Sequence, residues 1–424
     1  MAETAIITRV LDSVQQLAAS EWNTLLALQP APTPFMRHEY LAALECSGSA
    51  TPATGWQCKV VTLWQDGSLV AACPLYEKEH SYGEYVFDWA WASAYARHGL
   101  DYYPKGLLAV PFTPVPGSRL LARTQPLRQA LVRAVRAWAQ ERQLSSLHLL
   151  FSDAADLAAC EADGWLLRST VQFHWRNRAD GAAGYRDFDD FLAALNQEKR
   201  KKIRQERRKV QQAGVRFRAR HGMDISPADW AFFYRCYERT YLEHGNAPYL
   251  SPAFFEAMAQ EMPQAWLMFI AEREGRPMAC SLVALSADAG QGCALRAPRG
   301  TAYGRYWGAL ERVDCLHFEA CYYQPIKWCI AQGIACFEGG AQGEHKMARA
   351  LLPVETPSAH WIAHPDFADA IARFLEREGD GMARYMQELQ AHSPLRKPAD
   401  GPAGCGSIPD DHAAAPQKDS QSPS

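Results

Sequence analysis

The order of strand and helix patterns in the second half of the chain constrains the fold most. From Val215 onward the apolar residues predict strand, helix, helix, hairpin, strand, helix and strand, the last at residues 334–337. Elements mixed in this way must pack in layers, with helices covering a sheet. The first half also mixes strand and helix patterns. We therefore expect an α/β fold with mixed sheets.

The last of these strands runs into a glycine-rich stretch that carries charged groups. Gly339, Gly340 and Gly343 allow sharp bends and a close approach of the backbone to a ligand. Groups suited to proton transfer or anion binding flank these glycines, namely Glu338, Glu344, His345, Lys346 and Arg349. A strand that delivers such groups at its end is a common way to build an α/β site. The alternative is a glycine turn followed by a solvated charged loop.

The length of 424 residues predicts two domains rather than one core. We place an N-terminal domain at residues 1–180 and a C-terminal domain at 181–392, which opens with a basic helix. The boundary falls in a glycine-rich stretch near residue 180. Residues 393–424 are rich in Pro, Gly, Ser, Asp and Ala and are predicted to be disordered.

Composition argues against several classes of protein. The net charge of −3 gives no overall attraction to nucleic acid, and no apolar run is long enough for a membrane helix. The start of the sequence lacks the basic region of a signal peptide. The 12 cysteines form no C-x-x-C pair, which argues against a zinc ribbon and a disulfide framework. We expect a cytoplasmic protein of unknown oligomeric state.

An aromatic segment at residues 87–106 is a candidate ligand wall in the first domain. Its candidate binding residues are Asp88, Trp91, Tyr103 and Lys105. Rings in such number could hold a flat or amphipathic ligand, and Lys105 could face an anion. The alternatives are that the rings fill a gap between domains and that Lys105 is a surface lysine.

The helix predicted at residues 188–213 has an unusual charge pattern. Arg200, Arg204 and Arg208 form one stripe, and like charges at this spacing cost about 0.2–0.5 kcal/mol per pair. A nearly neutral chain that keeps this stripe can use residues 199–209 to bind tRNA or another polyanion. The alternative is a solvated helix face.

Several segments taken together resemble a known family. They are Phe87-Asp-Trp-Ala-Trp-Ala, Tyr102-Tyr-Pro-Lys, Pro111-Phe-Thr-Pro-Val, Tyr303-Gly-Arg-Tyr-Trp-Gly, His317-Phe-Glu-Ala-Cys-Tyr-Tyr, Phe337-Glu-Gly-Gly-Ala-Gln-Gly-Glu-His-Lys and Ser358-Ala-His-Trp. This set resembles the FemAB-like predicted N-acyltransferases of the GNAT superfamily, often labelled peptidoglycan-biosynthesis-like proteins. The resemblance spans roughly residues 35–394 and implies two tandem GNAT-like acyltransferase domains.

The resemblance implies transfer of an acyl or aminoacyl group to an amine acceptor, small or carrier-linked, in the cleft between the two domains. The co-substrate would be acyl-CoA or aminoacyl-tRNA, with no permanently bound cofactor. The chain departs from the general GNAT pattern in lacking an Arg/Gln-x-x-Gly-x-Gly/Ala loop before Tyr322, which argues against ordinary acetyl-CoA use. Residues 287–302 are a second departure and are interpreted as an insertion or a locally scrambled coding stretch.

Acyl transfer to an amine requires a base, donors for an oxyanion and an acid for the leaving group. The candidate bases are Glu338, Glu319 and His345, and backbone N–H groups of residues 339–343 could hold the oxyanion. The candidate binding residues here are Tyr241, Asn246, Tyr303, Arg305, Gly339, Gly340, Lys346 and Arg349. For each residue an ion pair or an interdomain hydrogen bond is the alternative. We expect no metal site, because His360 and His364 have no accompanying ligands.

Two classes of function remain open at this point. The favoured one is an N-acyltransferase or aminoacyltransferase. The other is a non-catalytic binding module that keeps the same fold to hold a peptide, lipid or RNA ligand.

Overall fold

The chain folds around one large mixed sheet. The computed structural model describes residues 5–178, 183–289, 298–340 and 343–396. The strands are β1 (Ile7–Leu11), β2 (Gln57–Gln65), β3 (Ser68–Lys78), β4 (Lys105–Leu108), β5 (Leu121–Ala122), β6 (Ser146–Leu150), β7 (Leu166–Arg176), β8 (Val215–His221), β9 (Trp266–Arg273), β10 (Arg276–Leu285), β11 (Thr301–Ala309), β12 (Cys336–Glu338) and β13 (Leu352–Ile362).

Helices cover both faces of this sheet. They are α1 (Ala19–Ala27), α2 (His38–Cys46), α3 (Trp89–Arg97), α4 (Gln125–Glu141), α5 (Ala154–Glu161), α6 (Phe188–Ala193), α7 (Gln197–Gln212), α8 (Pro227–Glu243), α9 (Pro252–Glu261), α10 (Leu316–Phe318), α11 (Gln324–Gln332) and α12 (Pro365–Ala391). A π-helical turn, Glu319–Tyr323, joins α10 to α11. Among the described residues, no helix has both the length and the apolar character needed to cross a membrane.

The two halves of the chain share the sheet. The strand order is β1-β2-β3-β4-β6-β13-β7-β12-β11-β10-β9-β8, with β5 paired to β3. Strand β13 comes from the second half of the chain but lies between β6 and β7, with His360 opposite His148 and Leu352 opposite His174. Strand β12 then pairs with the other edge of β7. The prediction of an α/β fold with a mixed sheet is confirmed.

The sheet has two faces with different cores. We call the face that carries Lys105, His148 and Glu338 the front face; its large core includes Tyr40, Phe254 and Tyr303 and is covered by α1, α2, α8 and α9. On the rear face, α4 and α5 pack on the N-terminal strands, and α6 and α11 pack on the C-terminal strands. Helices α3 and α12 pack together beside β13.

Most of the predicted elements are present, with one helix divided. The single helix expected at residues 188–213 is two helices, α6 and α7. Asn196 interrupts it because its side-chain oxygen accepts the Lys199 N–H at 3.0 Å and caps α7. The preceding Leu195 forms a β-bridge with Leu395.

Parts of three predictions fall outside the described residues. These parts are residues 179–182 of the boundary region, 290–297 of the insertion and 397–424 of the tail. The described ends of the insertion lie between β10 and β11, where the Ser286 N–H donates to the Thr301 carbonyl at 2.9 Å. The domain boundaries themselves remain predictions.

Candidate functional site

Glu338 ends β12 on the front face of the sheet. Successive side chains of a strand point to opposite faces. Phe337 packs in the rear core, so Cys336 and Glu338 face the front. Glu338 lies opposite His174 on β7 and opposite Tyr303 on β11. Three strands therefore fix the position of this carboxyl group.

A large cavity opens above Glu338. Its volume is about 1290 Å³, and both halves of the chain line it. Thr33, Gly117 and Ser152 lie on its wall from the first half, and Tyr303 and Glu338 from the second. The Glu338 side chain keeps 12% of its area exposed, so the carboxyl group can meet a ligand that enters the cavity.

The carboxyl group of Glu338 has an unusual electrostatic setting. Burial raises its pKa to about 8, although the charges of Arg305, Arg119 and Arg176 act in the opposite direction. Among the described residues, its buried Oε2 atom has no hydrogen-bond partner, and His174 Nε2 is 4.0 Å away. Burial and nearby cations lower the pKa of His174 to about 3, so the ring is neutral and forms no ion pair. Glu338 is therefore available as a proton acceptor near pH 8.

Cys336, His174 and Glu338 form the metal-ligand group found in the described residues. One ligand atom from each lies within 4.8 Å of the others. Burial raises the pKa of the Cys336 thiol to about 12, with Glu338 adding to the effect. The positive charges of the three arginines near Glu338 also oppose a second cation. These residues therefore fit a cation poorly, and the absence of a metal site stays a prediction.

The other candidate residues of the glycine-rich stretch lie beyond the end of β12. Lys346 Nζ donates to the Gly340 carbonyl at 2.7 Å, and burial lowers the pKa of this lysine to about 8. The exposed His345 contacts the Tyr322 hydroxyl at 3.2 Å. The Gly339 N–H bonds to the Phe173 carbonyl at 3.4 Å, and residues 341–342 lie outside the described part of the chain.

Glu319 and Arg349 are both held in ion pairs. Arg207 Nε on α7 lies 3.2 Å from each carboxylate oxygen of Glu319, and Gln324 donates to the same group at 2.7 Å. Arg349 donates to Glu206 at 2.8 and 3.0 Å, and its guanidinium lies 3.5 Å from the ring centre of Phe318. These contacts fix α7 to the segment around residue 349 and favour the structural interpretation of both residues.

Lys105 lies in a second buried cluster, which we call the Lys105 cluster (Ser81, Glu84, Asp88, Tyr102, Tyr103 and Lys105). Its Nζ donates to Ser81 and Glu84, each at 2.7 Å, and to Asp88. Burial raises the pKa of Glu84 to about 7, against the charge of Lys105. For Asp88, burial is outweighed by Lys105 and His148, so its pKa is lowered. The ammonium group is thus neutralised by protein carboxylates rather than free for an anion.

The Lys105 cluster continues as a chain of hydrogen bonds across the sheet. Tyr102 donates to Asp88 at 2.7 Å and lies 3.1 Å from His148 Nε2. The Nδ1 atoms of His148 and His360 are 2.7 Å apart, and His360 Nε2 contacts the Ser358 hydroxyl at 2.9 Å. His148 Nε2 also lies 2.8 Å from the Ser146 hydroxyl, so the chain branches at this ring.

The structure separates the two predicted halves of the site. Lys105 is on β4 and Glu338 on β12, and β6, β13 and β7 lie between them. Four strand spacings of about 4.8 Å separate them across the sheet. Lys105 is level with Ile362 and Glu338 with Leu352, ten residues apart along β13, so the two positions are roughly 35–40 Å apart on the same face. The predicted residues Asp88, Trp91 and Tyr103 stay near Lys105, and Trp91 packs on His360 with ring centres 5.0 Å apart. No small ligand can contact both groups.

The remaining predicted binding residues lie on the Glu338 side. The side chains of Tyr303 and Arg305 both lie on the front face of β11, and Tyr303 lies opposite Glu338. Tyr241 ends α8 and packs on Tyr249 with ring centres 5.5 Å apart. Asn246 is exposed after α8 and bonds to the His244 carbonyl at 3.1 Å, so the structure gives it no contact with this site.

The sequence analysis missed four residues around Glu338. His174 and Arg176 come from β7, Cys336 lies two positions before Glu338, and the buried Arg119 comes from the first half. Gln172, His174 and Arg176 are spaced by two in a predicted strand, and this spacing could have predicted that the strand has one polar face. Arg119 had no such signal, because its approach depends on the tertiary fold.

Comparisons with known proteins agree on the fold. The crystal structure of FemX matches with a TM-score of 0.51 and 10% identity, over 86% of this chain and 100% of that one. The structure of L-PGS from Bacillus licheniformis matches with a TM-score of 0.49 and 9% identity, over 84% of this chain and 97% of that one. At these identities the likeness concerns the fold alone.

The sequence comparison gives the family. No curated protein matches this chain. The model of the FemAB-like family, described as peptidoglycan biosynthesis/recognition, matches residues 13–397. Because this match covers most of the 424 residues, the chain belongs to the FemAB-like family.

Proposed function

We propose that this protein is an N-acyltransferase that moves an acyl or aminoacyl group to an amine acceptor. The observation that carries the proposal is Glu338, whose carboxyl group has a raised pKa, has one buried oxygen without a hydrogen-bond partner among the described residues, and lines the large cavity. The family and the tandem GNAT-like fold support the same type of reaction.

In the proposed mechanism, Glu338 takes a proton from the acceptor amine as the amine nitrogen attacks the acyl carbonyl carbon. The new N–C bond forms, and the carbonyl oxygen becomes an oxyanion. When the tetrahedral intermediate collapses, the bond to the leaving group breaks, and the leaving group takes up the proton that Glu338 accepted. A carboxyl group with a pKa of about 8 is a stronger base than an exposed one, and about half of it is ionised near pH 8.

The cavity supports a site between the two halves of the chain. The loop at residues 110–119 covers the front face there, where Gln172 Nε2 donates to the Pro114 carbonyl at 2.9 Å. Arg305 likewise donates to the Phe112 carbonyl at 2.9 Å. A substrate in the cavity would therefore contact both halves, as the resemblance implies.

We further propose a polyanionic carrier for one substrate. On α7, Ile203, Glu206 and Val210 face inward. Arg204 and Arg208 are exposed and have no ion pair among the described residues. An exposed cationic stripe on a helix fixed beside the glycine-rich stretch suits tRNA or an anionic lipid headgroup. The choice between acyl-CoA and aminoacyl-tRNA as donor stays open.

The test is a transfer assay with defined donors. The purified protein is incubated with acyl-CoA or charged tRNA and a panel of amines, and mass spectrometry detects the new amide. An amide that forms only with protein present supports the proposal. Retention of a donor or acceptor without any amide across both donor classes would favour the non-catalytic binding module.

A further inference from the structure

Arg305 is a half-buried cation that has no acidic partner among the described residues. Its Nη2 donates to the Phe112 carbonyl at 2.9 Å and to the Tyr306 hydroxyl at 3.4 Å. Its Nε is buried and has no hydrogen-bond partner. Among the described residues, no carboxylate oxygen lies within 4.0 Å of its guanidinium group. The Nε donor is therefore unused, and the charge of Arg305 acts on Glu338 only from beyond ion-pair distance.

Among the other candidate cations, Lys346 likewise contacts a backbone carbonyl and no carboxylate of the described residues, whereas two others differ from Arg305. Lys105 is paired with Glu84 and Asp88, and Arg349 with Glu206. A buried charge is costly unless a counter-charge and hydrogen bonds compensate it. The absence of such compensation at Arg305 suggests that a ligand provides it.

Aromatic rings from both halves of the chain surround this guanidinium. Its Cζ lies 5.1 Å from the ring centre of Tyr306 and 5.2 Å from that of Phe35. Phe112 and Tyr249 stack with ring centres 4.7 Å apart. We call the group Tyr85, Phe112, Tyr241, Tyr249, Arg305 and Tyr306 the Arg305 cage.

The Arg305 cage is open to solvent on one side. Tyr85, Tyr241, Tyr249 and Tyr306 are half-buried rather than fully buried. The charge of Arg305 acts on the hydroxyl groups of Tyr85 and Tyr241, and in both it opposes the rise in pKa caused by burial. The cage therefore offers a guanidinium group, phenol hydroxyls and ring faces within reach of one ligand.

The cage is also close to the proposed base. Tyr303 lies opposite Glu338, and Arg305 is two residues further on the same face of β11. One strand spacing and two residues of rise give a separation of roughly 8 Å between the two backbone positions. A ligand bound in the cage can thus extend over Glu338.

We propose that the Arg305 cage binds an oxyanion, a carboxylate or a phosphate, that is joined to a planar or apolar group of the substrate. This inference rests on the proposed function only where it assigns the anion to the substrate of Glu338. The ion pair would be charge-assisted and the rings would pack on the adjoining group. The cage would then orient the substrate without taking part in the chemistry.

Binding of small probes to the full chain tests the cage without turnover. Isothermal titration compares phenyl phosphate, benzoate and neutral benzyl alcohol on the wild-type protein. The same titrations use Arg305→Gln and the matched control Arg235→Gln, since Arg235 also lies over an aromatic ring, 5.5 Å from Phe232, but on the surface. Thermal melts without probe accompany each variant.

We expect at least one anionic probe to bind the wild-type protein and the Arg235→Gln control, and benzyl alcohol to bind neither. Loss of a charge-assisted contact should weaken the anion roughly 10- to 100-fold in Arg305→Gln. The melting temperature of this variant should stay equal or rise, because a half-buried charge without an acidic partner among the described residues is removed. Which probe binds better separates a phosphate from a carboxylate.

Three results would overturn the inference. They are no binding of either anion, equal binding by Arg305→Gln, or an early melt of Arg305→Gln that shows a structural role. The proposed function is tested separately, because Glu338→Gln should still bind the anion. If the protein binds the anion but shows no transfer activity, the inference about the cage is supported and the proposed catalytic function is wrong.

Discussion

Glu338 and Lys105 are both buried ionisable residues, but their surroundings differ. Glu338 has an Oε2 atom without a partner and keeps some exposure to a cavity. The side chain of Lys105 is fully buried and lies against two carboxylates. An uncompensated group with a shifted pKa is typical of functional sites, whereas a satisfied ion pair is typical of a structural one. The first therefore fits a reactive role and the second a structural role.

Replacing Lys105 tests this structural role. Lys105→Met would leave the Glu84 and Asp88 carboxylates buried without their cation, and loss of one partner of a buried pair typically costs about 3–5 kcal/mol. Urea unfolding should show a decrease of this order in the free energy of unfolding. A control, Lys59→Met, removes an ion pair with the exposed Asp12 and should change stability little. If the stability of Lys105→Met is unchanged, Lys105 has no structural role, and the prediction that it binds a ligand is favoured.

The pH dependence of the transfer rate should report Glu338. A base must be deprotonated, so the rate should rise about tenfold per pH unit below its pKa of about 8 and level off above it. Arg176 lines the cavity and lowers this pKa, so Arg176→Gln should move the rising limb to higher pH. The shift should be less than about one pH unit, because the arginine is solvent-exposed. If the rising part of the pH–rate profile does not shift in Arg176→Gln, the ionisation seen in the profile is not that of Glu338.

At the scale of elements, the sequence predicted the helices and hairpins with strong periodicity. Helix α4 and helix α12 lie within one residue of their predicted positions, because each has a long amphipathic pattern and a proline near its start. Strand β13 was not predicted. Val354, Thr356 and Ser358 alternate with prolines and a charge, and this pattern marks a strand only once β6 and β7 flank it.

The candidate site was predicted in part. The sequence identified Glu338, Tyr303 and Arg305, which the fold brings together on neighbouring strands. It also grouped Lys105 and Glu319 with them, and the structure places these two in separate ion pairs. The partners of such residues are far away in the sequence, as Arg207 is from Glu319. Local patterns carry no information about them.

The basic helix α7 gives a prediction at the same scale. Arg200→Gln, Arg204→Gln and Arg208→Gln combined should leave folding intact, because Arg204 and Arg208 are exposed and the half-buried Arg200 forms no ion pair among the described residues. The triple variant should weaken binding of bulk tRNA or anionic vesicles and reduce its salt dependence. Filter binding at several salt concentrations measures this. If the affinity of the variant and of the wild type depends equally on salt, the arginines do not bind the polyanion, and α7 simply presents a solvated face.

The contact between β6 and β13 predicts a dependence of stability on acid. Burial lowers the pKa of His360 to about 3 and that of His148 below its usual value. The unfolded chain binds protons below about pH 6.5 that the folded chain does not, so stability falls as the pH drops.

Each of the two histidines contributes a slope of up to about 1.4 kcal/mol per pH unit. Urea unfolding between pH 7 and 4 should therefore show a shallower loss for His360→Gln. The exposed His98→Gln is the control and should keep the wild-type slope. An unchanged slope in His360→Gln would contradict this assignment.

At the scale of the whole molecule, the shared sheet determines where a site can form. Strand β13 joins the halves through β6 and β7, and β12 pairs with the other edge of β7. The loop at residues 110–119 then closes over the front face beside Glu338. The cavity therefore combines both halves of the chain, although most of its titratable groups come from the second.

The central claim is that Glu338 is the base of a transfer reaction. Its pKa in the folded protein is raised above that in the unfolded chain, so its ionisation opposes folding between about pH 4.5 and 8. Glu338→Gln should therefore keep or raise the melting temperature at pH 8. The same change removes the proton acceptor and should lower the rate roughly 10²- to 10⁴-fold.

The most direct test measures the single-turnover rate and the melting curve of Glu338→Gln on one preparation. Glu355→Gln, which changes an exposed carboxylate on β13, is the matched control and should behave as wild type in both measurements. The account predicts a slow Glu338→Gln protein that melts no earlier than wild type. A Glu338→Gln protein that melts early yet transfers at the normal rate when folded would contradict it.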